Sequence, residues 1–148
     1  MKVIVQRAVD ASVKVNEKIV WNIPKGYVLL VGFTNDDNEE IINKIANKII
    51  NLRIFEDDNG KMNLALKDVN GQILSISQFT LYATLDGRRP SFTKALNYND
   101  AKKLYEIFNN ELKKYDVNVE TGIFGEDMKV NFTNDGPVTI IKDSKVDL

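Results

Sequence analysis

The chain contains no histidine and no cysteine among its 148 residues. Without imidazole there is no Ser-His-Asp or Cys-His machinery and no His-ligated metal. Without a thiol there is no disulfide, thiolate nucleophile or Cys-ligated zinc. Any hydrolytic chemistry must then come from a Ser, Thr, Lys or carboxylate side chain, from backbone dipoles, or from a group the substrate brings. Long apolar runs are also missing: the longest, Tyr27 to Phe33, is far short of the roughly 20 residues that cross a bilayer. The opening MKVIVQRAVD is broken by Gln, Arg and Asp, so it lacks the continuous apolar core of a signal peptide, and a cytoplasmic protein is expected. An excess of positive charge is absent as well. A net charge of −1 and a pI near 5.5 argue against gripping long nucleic acid by charge alone, which requires neutralising many phosphates. Local patches remain: Arg88-Arg89 beside Lys94, and Lys102-Lys103 with Lys113-Lys114, have the charge to meet a few phosphates or simply to be a solvated surface.

What is present reads as one α/β domain with layered, mixed strands. Lys2 to Val15 alternates in two segments about Asp10, suggesting strands and a hairpin, and Lys18 to Trp21 reads as a third short strand. Gly26 to Phe33, almost wholly apolar, reads as a strand buried on both faces. Asn35-Asp36-Asp37 offers N-caps for a core-facing helix to about Asn51, in which Ile41, Ile42, Ile45, Ala46, Ile49, Ile50 and Leu52 recur at helical spacing. A turn at Asp57 to Gly60 and an irregular Met62 to Val69 precede the stretch that organises the chain, QILSISQFTLYA at 72–83. TLDGRRPSF then forms a loop, Asn97 to Tyr115 a second amphipathic helix, Val117 to Glu120 a short strand, Gly125 to Asp127 a turn, and Met128 onward a closing strand. The strand at 26–33 and the organising strand are expected at the sheet's centre.

Two stretches carry unusual chemistry. Ser77-Gln78-Phe79-Thr80 packs two hydroxyls and a carboxamide where a core strand would be apolar. Buried polar groups without partners cost about 1–3 kcal/mol each, so the cluster is either satisfied by the sheet or faces a ligand. Asn134-Asp135-Gly136-Pro137-Val138-Thr139 has the composition of a tight turn, yet lies between strand-like segments. Gly allows close approach and Gly-Pro is a bond that adopts cis at modest cost. A surface turn and a ligand-facing selector are both compatible with that composition. Thr80 Oγ is a candidate nucleophile, but no base lies near it in sequence.

These stretches, with VQRAVDASVKV, LRIFEDDNGKMN, GRRPSF and TGIFGEDMKV, resemble the D-aminoacyl-tRNA deacylases along nearly the whole chain. SQFTL and NDGPVT in this order are specific; either alone is weak. The resemblance implies a metal-independent, cofactor-free ester hydrolase acting on D-aminoacyl-tRNA, and on glycine misattached to alanine tRNA, without membrane association. It further implies a homodimer in which a cis Gly136-Pro137 of each copy enters the partner's site, captures the substrate's amino group and excludes L side chains. Ser77, Gln78, Phe79 and Thr80 then match the catalytic motif, and Arg7, Met128, Asn134, Gly136, Pro137 and Thr139 match positions of substrate selection. A non-catalytic tRNA- or protein-binding module, and a freestanding relative of the editing domains of threonyl-tRNA synthetases, are the alternatives.

Overall fold

A computed structural model describes residues 1–148. Its elements run β1 (Lys2–Val15), β2 (Lys18–Gly32), α1 (Glu39–Ile50), β3 (Arg53–Glu56), β4 (Met62–Ala65), β5 (Gln72–Ser77), α2 (Tyr98–Lys113), β6 (Val119–Thr121), β7 (Lys129–Asp143) and α3 (Ser144–Asp147), with 3-10 turns at Leu66–Val69 and Phe79–Tyr82. Five strands make the main sheet in the order β6-β5-β2-β1-β7, and β3 and β4 form a small separate hairpin. The β1 strand is antiparallel to both its neighbours, β2 and β7, whereas β5 runs parallel to β2 and β6 parallel to β5. The sheet is therefore mixed, and β2 is its middle strand, as expected.

Alternation along β1 and β2 sends Val3, Val5, Tyr27, Leu29 and Val31 to one face, where α1 and α2 cover them. Ile45 and Ile49 of α1 and Phe108 and Leu112 of α2 are fully enclosed there. The opposite face has a smaller core of Ala8, Ala11, Val13, Ile23, Val28, Leu74 and Ile76. Because both faces of β2 are packed in its second half, Gly26 to Phe33 is apolar at every position.

Five readings change, one of them at Met62 to Val69, which is not irregular but strand β4 followed by the 3-10 turn at Leu66–Val69. Lys2 to Val15 is one long strand rather than a hairpin: the β1–β2 register runs unchanged past Asp10, which sits at φ 52° where the β1–β7 register slips between Val9 and Ser12, a bulge whose residue imitates a turn. Lys18 to Trp21 is not separate but continuous with Gly26 to Gly32; Pro24 is accommodated because β5 pairs only with Gly26 to Val31, leaving that part of β2 without a partner on its outer side. The α1 cap is Asn38, whose side chain accepts from Ile41 N–H at 3.0 Å, while Asp37 turns back to accept from Thr34 N–H at 2.7 Å. Finally, the organising strand ends at Ser77, and Phe79–Tyr82 is a 3-10 turn.

Candidate functional site

That turn is seated on the end of β2 by two close contacts. Gln78 N–H donates to Val31 O at 2.7 Å. Gly32 lies so near that a Cβ on it would stand 3.0 Å from Gln78 O and 3.2 Å from Leu81 Cβ. Glycine at 32 is what lets the turn lie against the strand. The first bond of the turn is Leu81 N–H to Gln78 O, 3.3 Å, so the amides of Phe79 and Thr80 ahead of it are not used by the turn itself. Both residues are exposed. Gln78 Nε2 donates to Thr80 Oγ1 at 3.1 Å. A donor aimed at that oxygen is the reverse of the base a nucleophile needs.

The turn opens into a groove of about 920 Å³, mostly apolar, lined by the ends of β2 and β5, by Phe92, by Ala95 to Tyr98 and by Phe124 to Met128. Ser77, Gln78, Phe79, Thr80 and Met128 all line it. Phe79 meets Phe92 edge-on at 5.0 Å between ring centroids. Met128 lines the groove while packing against the smaller core, so it serves both wall and core. The ionisable side chains in the lining are Tyr98, Glu126 and Asp127, and Asp127 is paired with Lys129 at 2.8 Å. No group of three His, Cys, Asp or Glu is gathered in a metal-holding arrangement.

Behind the turn, α2 holds β5 through Tyr105, whose hydroxyl donates to Ser75 O at 2.6 Å two residues before Ser77. Burial pushes the Tyr105 phenol above its ordinary value, so it is a neutral donor throughout the working pH range.

The second stretch forms a different feature. It is strand rather than a surface turn, but the β1–β7 register jumps from Gln6↔Thr139 to Ala8↔Asn134, so Asp135 to Val138 bulge out opposite Arg7. Arg7 is buried, 6% exposed. Its Nε donates to Asp135 O at 3.1 Å and its Nη1 to Ile54 O at 2.8 Å. The bulge is thus braced by a buried guanidinium with oxygen partners, the condition under which a buried charge is tolerated. Gly136 has φ +123° and a Cβ on it would sit 2.9 Å from Arg7 Nη2. The Gly136–Pro137 peptide is cis. Asn134, Gly136, Pro137 and Thr139 are exposed, and Thr139 Oγ1 donates to Gln6 Oε1 at 2.8 Å.

The two features do not meet within one chain. None of Arg7 and Asn134 to Thr139 lines the groove. Gly32, Phe92, Tyr98 and Phe124, which do, were not singled out from the sequence; the GF pair closing the β2 run and the SF of GRRPSF were the only signals of two of them.

The fold is that of the tRNA deacylases: a solved structure of a probable eukaryotic D-amino acid tRNA deacylase matches with TM-score 0.80 over 95% of this chain and 97% of that one, at 18% identity. A second, the c-Myc DNA Unwinding Element Binding Protein, matches with TM-score 0.91 at 37% identity over 97% and 98% of the two chains. At the level of sequence, the family model described as D-Tyr-tRNA(Tyr) deacylase matches residues 4–143, and the chain belongs to that family of hydrolases. It is 54% identical over 146 residues to the D-aminoacyl-tRNA deacylase of Bacillus pumilus (strain SAFR-032), covering 98% of this chain and 99% of the relative. The D-aminoacyl-tRNA deacylase of Thermosipho africanus (strain TCF52B) is 52% identical over 146 residues, covering 98% of each.

Proposed function

We propose that this chain hydrolyses the ester of D-aminoacyl-tRNA, and of glycine misattached to alanine tRNA, in the cytoplasm, with the Ser77–Thr80 turn as its catalytic element and Gly136–Pro137 of a second copy as its chiral selector. The observation that carries this reading is the separation just described: the selector bulge is exposed and braced, yet absent from the groove of its own chain, which supports a selector supplied by a second copy.

Within the groove, the aminoacyl carbonyl oxygen sits against the Phe79 and Thr80 amides. Water attacks the carbonyl carbon, and the amides donate to the oxyanion as it develops. Each such donor contributes about 3–4 kcal/mol of barrier lowering. The intermediate collapses by breaking the bond to the ribose 3′-oxygen, and the proton lost by water reaches that oxygen by way of the neighbouring 2′-hydroxyl of the terminal adenosine. Free D-amino acid and tRNA result. Thr80 Oγ, which accepts from Gln78 and has no base beside it, orients rather than attacks.

Purified protein incubated with D-tyrosyl-tRNA and L-tyrosyl-tRNA in parallel, with and without chelator, should consume the D-ester alone and at the same rate in both conditions. Equal loss of both esters removes the selector from the account, and loss of neither removes catalysis. Thr80→Ala is expected to retain activity within about tenfold of wild type, because the backbone donors remain. A loss of a thousandfold or more in a folded variant would make Thr80 the nucleophile.

A further inference from the structure

We propose that the loop joining the catalytic turn to α2 is a docking surface for the phosphates of the single-stranded 3′ end of tRNA, with Arg88, Arg89 and Lys94 as its contacts; this rests on the function proposed above. The loop leaves the site only a few residues after Thr80 and returns to it at Phe92, whose ring stands against Phe79. Its base is fixed at both ends. Thr84 and Ser91 exchange backbone hydrogen bonds of 2.8 and 3.0 Å. Beyond them Thr34 Oγ1 donates to Lys94 O at 2.5 Å, and Leu96 N–H to Phe33 O at 3.0 Å. From Leu85 to Pro90 every residue is exposed.

The three cations are free, whereas several others are engaged. Neither arginine nor Lys94 has an acid within ion-pair distance, while Lys44, Lys114 and Lys129 are paired with carboxylates. One carboxylate, Asp86, shares the loop tip, leaving the segment net positive on a chain of net charge −1. The groove lining itself carries two acids, Glu126 and Asp127, the second paired with Lys129, and no cation. A polyanion is therefore favoured on the loop and not inside the groove, which leaves the terminal ester to reach Thr80. Two arginines at a loop tip suit phosphate by their planar donor forks, and exposed cations that neutralise phosphates give affinity without base readout.

The test compares R88Q/R89Q with wild type on D-tyrosyl-tRNA and on D-tyrosyl-adenosine, which keeps the ester and lacks the phosphates, and measures binding of uncharged tRNA against salt. The ratio of kcat/KM on tRNA to that on the nucleoside ester should fall at least tenfold. The slope of log affinity against log salt should shrink by about 1.4, the value for two phosphate contacts to a single strand, worth about sevenfold between 50 and 200 mM salt. R88K/R89K should restore the slope, and Lys67→Gln, on an exposed turn outside the groove, should not alter it. Equal losses on both substrates would overturn the proposal by showing that the loop acts on the groove itself, and an unchanged ratio and slope would overturn it outright. A wild type that cleaves neither ester while R88Q/R89Q still weakens tRNA binding would uphold the docking surface and reject the function on which it was built.

Discussion

At Gly32 a single hydrogen in place of a methyl group decides where the turn at Phe79–Tyr82, proposed as catalytic, lies. An added Cβ meets backbone oxygen of Gln78 at 3.0 Å and Leu81 Cβ at 3.2 Å, so the turn must shift by some tenths of an ångström. Displacements of this order in donors that must meet an oxyanion are costly to rate. Gly32→Ala should lower kcat on the D-ester by tenfold or more while changing stability by no more than about 1–2 kcal/mol, as read by single-turnover kinetics alongside urea denaturation. Gly136→Ala acts differently. Its φ of +123° strains any L side chain, and its Cβ would press on Arg7, so the bulge loses its shape while the sheet on either side keeps its register. D-ester hydrolysis should fall at least tenfold with a melting temperature lower by only a few degrees, and an unchanged rate would take the bulge out of the site. The polar character of Ser77 to Thr80 was legible in the sequence. The bend after Ser77 was not, because Ile73, Ile76, Phe79 and Leu81 continue an apolar rhythm across a point where the chain stops being a strand. Arg7 was legible as a charge inside a strand, but which carbonyls it holds is a long-range fact: Asp135 and Ile54 lie 128 and 47 residues away.

Among elements, the coupling of α2 to β5 carries the site. Tyr105 reaches from the helix to Ser75 O, and nearby Ser75 Oγ and Asn109 Oδ1 are buried without partners. This interface is held by one strong bond rather than a satisfied network. Tyr105→Phe preserves shape and removes the donor, so it should destabilise by about 1–2 kcal/mol and loosen the strand end that presents Ser77, lowering kcat more than it raises KM. Tyr105 and Tyr27 are both held above the ordinary tyrosine pKa of 10.0 by burial. Because the unfolded phenols ionise first as pH rises, stability is full below about pH 10 and declines above it. Tyr27→Phe should flatten that alkaline decline in urea titrations repeated across pH. Helix periodicity exposed α1 and α2 and their inner stripes, since packing against one core writes a 3.6-residue repeat. Strand lengths were less legible: the bulge at Asp10 and the proline at 24 look like chain ends locally, and only pairing with distant neighbours makes β1 and β2 continuous.

For the whole molecule, the order β6-β5-β2-β1-β7 puts groove and bulge on different parts of one sheet, a consequence of pairing that no local pattern announces. The sheet also leaves an apolar strip uncovered. Ile141 and Leu30 are both paired with Ile4 and share its face, Leu30 lines the groove, and Ile141 is 64% exposed. The strip runs from beside the bulge to the groove, and Phe79, 55% exposed, extends the apolar surface at the site. A second copy whose bulge enters this groove would cover the strip and bury apolar surface that otherwise faces water. Ile141→Lys leaves every hydrogen bond of β7 in place and puts a charge at the exposed β7 end of that strip. Desolvating an unpaired ammonium in an interface costs several kcal/mol, more than a modest dimer can absorb. The variant should therefore sediment as a monomer of native circular dichroism at concentrations where wild type is dimeric, and it should lose D-ester hydrolysis together with the dimer. A dimeric, fully active Ile141→Lys would move the interface elsewhere on the sheet. A monomeric but fully active one would show that each chain carries a complete site, and the selector would then have to be sought among the residues lining the groove.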